Sequence, residues 1–353
     1  MGQKSTFASR RMIITGVLAV VSLALYLSGC SGGGGYGGGG GGGYVPPLST
    51  FATGTRPTGI AIDSSGNAWV TNNGSNTVSV LSPANGLLNT YATGTNPFGI
   101  AIDSSDDVWI VDNGSNMVSV LSPTGLLLQT YPTGTLPRGI HIDASGNVWV
   151  ANYGGNTVTE FSSSGTVLGT FPTGTGPTNL AIDALGHVWV TNLGGNPLGD
   201  TITELSSTGT VLGTFTAGTG PNSVHVDPAG HLWVLNGGDD ASPGNTVTEL
   251  SSDGTMSLGT FTVGSSPRGA AIDTYGYVWV GNFGTTGVPG NTVSELNTNG
   301  MLLNTYNVGN NPAGLAIDNQ GNVWIVNYGS DTVTILKGVT TREFRPYAGP
   351  VWP

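Results

Sequence analysis

Short apolar stretches four to six residues long alternate with polar turns along nearly the whole chain, and no segment keeps the 3.6-residue period of an amphipathic helix. Residues 59–93 show the unit: "GIAID", then "NAWVTN", "TVSVLS" and "LLNTYAT", each bounded by Gly, Asn, Ser or Pro clusters. β-branched and aromatic residues between turn formers predict four short strands per unit. The unit then returns as "IAIDSSDDVWIVDNGSNMV", "IHIDASGNVWVANYGGNTV" and "LAIDNQGNVWIVNYGSDTV".

Two landmarks count the copies. Tryptophan recurs at Trp69, Trp109, Trp149, Trp189, Trp233, Trp279 and Trp324, and an aromatic recurs at Phe51, Tyr91, Tyr131, Phe171, Phe215, Phe261 and Tyr306, both with spacings of 40, 40, 40, 44, 46 and 45. Four-stranded units at this period predict an all-β, seven-bladed β-propeller over residues 48–337. The first aromatic precedes the first tryptophan, whereas the last tryptophan has no aromatic strand after it. The ring is therefore expected to close inside a blade, with residues 48–54 supplying the outer strand of the last one, so that neither sheet edge stays free.

The longer spacings arise between the second and third strands of units four to six, where "NLGGNPLGD", "NGGDDASPGN" and "NFGTTGVPGN" replace shorter turns. These insertions fall on the same face as the loops leading into each first strand, which carry Arg56, Arg138 and Arg268. That decorated face is the expected ligand face. Both chain ends belong to the opposite, plain face.

Residues 1–29 read differently. A cationic leader with Lys4, Arg10 and Arg11 precedes the apolar "MIITGVLAVVSLALYL", the pattern of an export signal. The stretch ends in "LSGC", which resembles a bacterial lipobox, with Cys30 as the acylated residue and a serine after it that permits sorting to an outer membrane. Cys30 is the chain's one cysteine, so no internal disulfide can form. Residues 30–47 then form a lipidated, glycine-rich tether, since glycine loses most backbone entropy on ordering. Residues 338–353 break the repeat with Phe344, Tyr347 and Trp352, and are expected to pack on the plain face. Cleavage would leave six basic against twenty acidic residues, a surface ill suited to nucleic acid. The expected partners are a membrane, reached through the lipid, and a protein, peptide or glycan on the decorated face.

The unit P-x-G-I-A-I-D-x-x-G-N-x-W-V resembles the NHL-type repeat and, with tryptophan on the second strand, is similar to propellers of the streptogramin B (virginiamycin B) lyase family. That resemblance implies a metal-dependent lyase that opens a cyclic depsipeptide with a histidine and acidic residues around magnesium. Those lyases often place a carboxylate three residues after the tryptophan. Here the positions hold Asn72, Asp112, Asn152, Asn192, Asn236, Asn282 and Asn327, one carboxylate among amides, a thin supply for a hard cation. They are candidates for a ligand-binding ring or for ties between neighbouring loops.

Aspartate recurs in every first hairpin, at Asp63, Asp103, Asp143, Asp183, Asp227, Asp273 and Asp318, and is expected to cap the turn. Four histidines break the template. His187 and His231 replace a turn asparagine, where no chemistry is expected. His141 and His225 replace a small residue of the innermost strand, where an imidazole could act as a base or metal ligand, although two units separate them. Asp239 and Asp240 in the longest insertion are candidate calcium ligands, so magnesium or calcium remains an open cofactor. No Ser-His-Asp or zinc-ligand spacing points to another chemistry. The sequence favours an envelope-anchored recognition or scaffold module over the alternative of a metal-dependent lyase or lactonase at the channel mouth.

Overall fold

The computed structural model describes residues 48–195 and 197–340, and all of the regular structure among them is β-strand. Cys30, the tether and the aromatic residues of the tail lie outside the described residues.

Twenty-eight strands form seven antiparallel sheets of four, each a meander from the channel outward. Blades 1 to 6 are continuous in sequence, beginning at Pro57, Pro97, Pro137, Pro177, Pro221 and Pro267. Blade 7 is closed as its phase predicts. Its strands Pro312–Ile317, Val323–Asn327 and Thr332–Leu336 are completed by Leu48–Ala52, paired from Leu48↔Leu336 to Ala52↔Thr332.

The core is seven separate clusters, one at each contact between blades. Each tryptophan leans onto the second strand of the next blade: Trp69 packs with Val108 and Ile110, and Trp324 crosses the seam to Ala68 and Val70. The aromatic of the blade's own outer strand covers it in blades 1 to 6, with ring centroids 5.5–5.8 Å apart. At the seam Phe51 takes that place. A sheet covered on both faces keeps its second strand buried throughout, which is why the alternating pattern fails there.

The hairpin aspartates do more than cap. Asp63 Oδ1 accepts the N–H groups of Ser65 and Asn67 at 3.0 and 2.8 Å, while Oδ2 accepts Trp69 Nε1–H at 3.0 Å. The same bond to tryptophan forms in blades 2, 3, 4, 5 and 7. One side chain thus shapes the turn and fixes the indole that fills the blade contact, and its recurrence is structural.

The insertions of blades 4, 5 and 6 do not form free loops. They lengthen the second and third strands, to Val188–Gly194 and Leu198–Leu205 in blade 4, beyond the rim of the neighbouring blades. A bulge then interrupts the first strand of every blade near its start, as between Pro57 and Ile60, re-aiming the residue after the proline. The glycine that follows in blades 1, 2, 3, 6 and 7 permits the inner strands to touch; a Cβ on Gly59 would fall on the Phe98 carbonyl.

Candidate functional site

Seven first strands converge on the axis and leave a cavity of about 530 Å³ at the decorated face. That is an ordinary size for a small-molecule site. Its wall is built from the residue after each strand's proline, namely Thr58, Phe98, Arg138, Thr178, Asn222, Arg268 and Ala313. Side chains from the ends of the second strands, Asn73, Leu193, Phe283 and Tyr328 among them, complete the rim. These are columns in which an otherwise regular repeat varies from unit to unit. The scaffold constrains the other columns, so free variation marks the site, and aligning the units would have exposed the wall in advance.

Arg138 and Arg268, expected on this face, both line the cavity. The Arg138 guanidinium carbon lies 3.6 Å from the Tyr153 ring centroid and 5.9 Å from that of Phe98; Arg268 lies 3.7 Å from Phe283. Aromatic faces attract a guanidinium and hold it flat, leaving its edge donors free. Burial pulls both arginines below their usual pKa range, and at Arg268 the positive charge of Arg138 adds to the fall while Asp240 opposes it.

Arg56 is separate. It is exposed, adopts φ 51°, and gives its backbone N–H to Asp331 Oδ1 at 2.7 Å, so it serves the turn rather than the cavity. Asp239 and Asp240 do line the cavity, but their carboxylates close loops. Asp239 Oδ1 accepts the N–H groups of Ala241 and Ser242 at 3.0 and 2.7 Å, and Asp240 Oδ2 accepts Thr286 Oγ1–H at 2.9 Å.

The ring of Asn72, Asp112, Asn152, Asn192, Asn236, Asn282 and Asn327 is outside the cavity, buried inside the blades. Asn72 donates to Thr77 and Ser79 hydroxyls at 3.0 and 2.9 Å and accepts the Gly54 N–H at 3.1 Å. The third strand is thereby tied to the loop leading into the blade. Asn152 and Asn282 repeat the arrangement, whereas the buried Oδ1 atoms of Asn192, Asn236 and Asn327 lack a partner. Enclosed amides with both donors engaged do not suit magnesium or calcium.

His141 and His225 share the channel. Two blades apart, both line a second channel section of about 320 Å³, and His225 reaches the decorated cavity as well. Radial convergence, which spacing along the chain does not reveal, brings them into one electrostatic field. Burial pushes His225 down to about 4, with His141 adding to the effect. His141 is exposed along the channel yet enclosed by the surrounding blades, and this enclosure lowers its pKa too. His225 Nε2 is 2.9 Å from Ser223 Oγ, and His141 Nδ1 is 3.1 Å from the Ile142 carbonyl.

The turn histidines, expected to be inert, each bridge two carboxylates. His187 Nδ1 lies 2.8 Å from Glu204 and 3.6 Å from Asp183; His231 Nδ1 lies 2.8 Å from Glu249 and 3.7 Å from Asp227. Asp227, His231 and Glu249 are the one group among the described residues whose ligand atoms gather within 4.8 Å as a metal would require. Hydrogen bonds already account for this trio, since Asp227 also holds Trp233 Nε1–H and two turn N–H groups. The glutamate partners sit on third strands opposite the tryptophan, a column that holds Glu160 and Glu295 in blades 3 and 6 and Val80, Val120 and Ile335 in the other three, a change the sequence did carry.

No protein-family model and no curated protein sequence matches this chain. Solved structures do share its architecture. Virginiamycin B lyase from Staphylococcus aureus superposes with a TM-score of 0.71 at 18% identity, covering 82% of this chain and 99% of its own. A catalytically inactive variant of that lyase with quinupristin gives the same TM-score and identity. Hydrazine synthase from Kuenenia stuttgartiensis matches at 0.72 and 16% identity, covering 86% of this chain and 99% of its own. The chain is thus a seven-bladed propeller of the fold seen in streptogramin B lyases. Because that fold also carries hydrazine synthase, it does not select an activity.

Proposed function

We propose that the protein is an envelope-anchored recognition module that binds its ligand in the decorated-face cavity. The carrying observation is the wall itself. Its variable positions supply two arginines on aromatic platforms with their edge donors free, while its carboxylates are engaged in loop contacts. Such a surface has shape and free hydrogen-bond donors for a ligand. The cavity also fits the topology of anchoring, because a tether from Cys30 would reach Leu48 at the plain face and leave the cavity pointing away from the membrane.

A lyase or lactonase is the second reading, favoured by His141 and His225, whose lowered pKa values keep neutral imidazoles in the channel. Incubating the full chain with quinupristin and millimolar magnesium, followed by mass spectrometry, separates the two. The intact ring is expected. Ring opening that disappears in His225→Ala would replace recognition with catalysis. Labelling of the exported protein with radioactive palmitate should be lost in Cys30→Ser; labelling that survives would refute the anchor.

A further inference from the structure

We infer that the cavity recognises an anionic small molecule, whose carboxylate or phosphate oxygens are taken by the guanidinium edges of Arg138 and Arg268. The inference rests on the cavity being a recognition site and specifies its ligand class.

The described residues contain four basic side chains, Arg56, Arg138, Arg268 and Lys337, against a large acidic excess. Two of the four stand in one cavity, three blades apart in a ring of seven and so nearly opposite each other. In an acidic protein, unpaired arginines would be expected to find carboxylates. Instead, among the described residues, neither makes a hydrogen bond or an ion pair with a side chain or a carbonyl, and each is held only by aromatic faces. Five N–H donors per guanidinium remain unspent.

The charge arrangement has the same sense. The two guanidiniums repel one another and are partly stripped of water, a cost that an arriving anion offsets at both. Asp239 and Asp240 share the rim, where Asp239 Oδ1 accepts two backbone amides and Asp240 accepts the Thr286 N–H and hydroxyl, so these oxygens serve their own loops while each arginine offers donors alone. Arg138 and Arg268 thus offer two seats on facing sides of the ring. The rings of Tyr153 and Phe283 fix each fork in advance, so little side-chain entropy is lost on binding.

Calorimetry on the full chain with glutarate, inorganic phosphate and the neutral isostere glutaramide tests this. Glutarate is expected to bind, at least tenfold more weakly in Arg138→Gln and in Arg268→Gln, and glutaramide not to bind. Phosphate binding in place of glutarate would support the same site with a phosphoryl ligand. Arg138→Lys keeps the charge without the fork and should give an intermediate loss. Melting temperatures of the variants check folding, and none should fall, because each removes or preserves an unpaired charge. Failure of both anions to bind the folded wild-type chain, or equal binding of glutaramide that the substitutions leave unchanged, would overturn the inference. The second result would leave a recognition cavity in place for neutral ligands, whereas quinupristin ring opening would remove the recognition reading whatever the anions do.

Discussion

Asp112 is the carboxylate in a ring of amides, and the fold carries it at a measurable cost. It is fully buried, and its Oδ2 accepts Ser119 Oγ–H at 2.5 Å. Burial pushes its pKa from 3.8 up to about 6, although the Ser119 hydroxyl and the Gly94 N–H favour the charged form. That rise is worth about 3 kcal/mol at about 1.4 kcal/mol per pH unit. The folded state holds this proton more tightly than the unfolded chain does, so the stability is fully present below about pH 4 and is lost as the pH climbs through 6. Asparagine removes the charge but meets an incomplete partner set. Sibling amides donate to a threonine, as Asn72 does to Thr77, but the corresponding residue here is Met117. One amide N–H would stay unsatisfied, at about 1 kcal/mol.

Asp112→Asn should therefore gain about 2 kcal/mol at pH 7.5, and Asp112→Asn combined with Met117→Thr about 3. For a domain of this size these gains correspond to about 3 and 5 °C in melting temperature. The assay is thermal unfolding followed by near-ultraviolet circular dichroism, with variant and wild type compared at each pH from 4 to 8. At pH 4 the advantage of the single variant should vanish. A gain that is independent of pH, or a loss at pH 7.5, would refute the burial argument.

Three further outcomes follow from the same physics. His225 has its pKa held down near 4, so its contribution to stability is present above about pH 6.5 and is lost as the pH falls through 4; His225→Ala should reduce acid sensitivity in that window, and an unchanged acid limb of the stability profile would contradict it. Leu136 is 43% exposed at φ 49°, in a column that uses Gly176, Gly220, Asn96 and Asn311 in four of its six other members and Arg56 and Ser266 in the remaining two, so Leu136→Asn should add about 1 kcal/mol, and a lower melting temperature would rule out left-handed strain. Deleting residues 48–53 removes the closing strand and Phe51 from the seam cluster, with an expected loss of at least about 3 kcal/mol and self-association through the bared strand Thr332–Leu336; an unchanged, monomeric domain would mean the strand is dispensable.

Much of this molecule is legible without coordinates because its contacts are local and repeated. The period of the tryptophans counts the blades, the phase of the aromatics places the seam, and the hairpin aspartate marks each turn. All three depend on interactions within one unit or between adjacent units, so spacing alone encodes them. What the histidines and arginines do depends on the ring. His141 and His225 are two units apart in sequence yet face one channel, and Arg138 and Arg268 are three units apart yet share one cavity. Arg56, from the same kind of loop, turns outward because its backbone takes the left-handed corner. The asparagine ring, which the sequence left open between ligand positions and ties, is a set of internal ties, since the blade encloses it on both faces. Sequence by itself determined the architecture, whose energy is summed over neighbouring repeats; only the tertiary structure decided the site, because closing a ring converts distance along the chain into proximity at the axis.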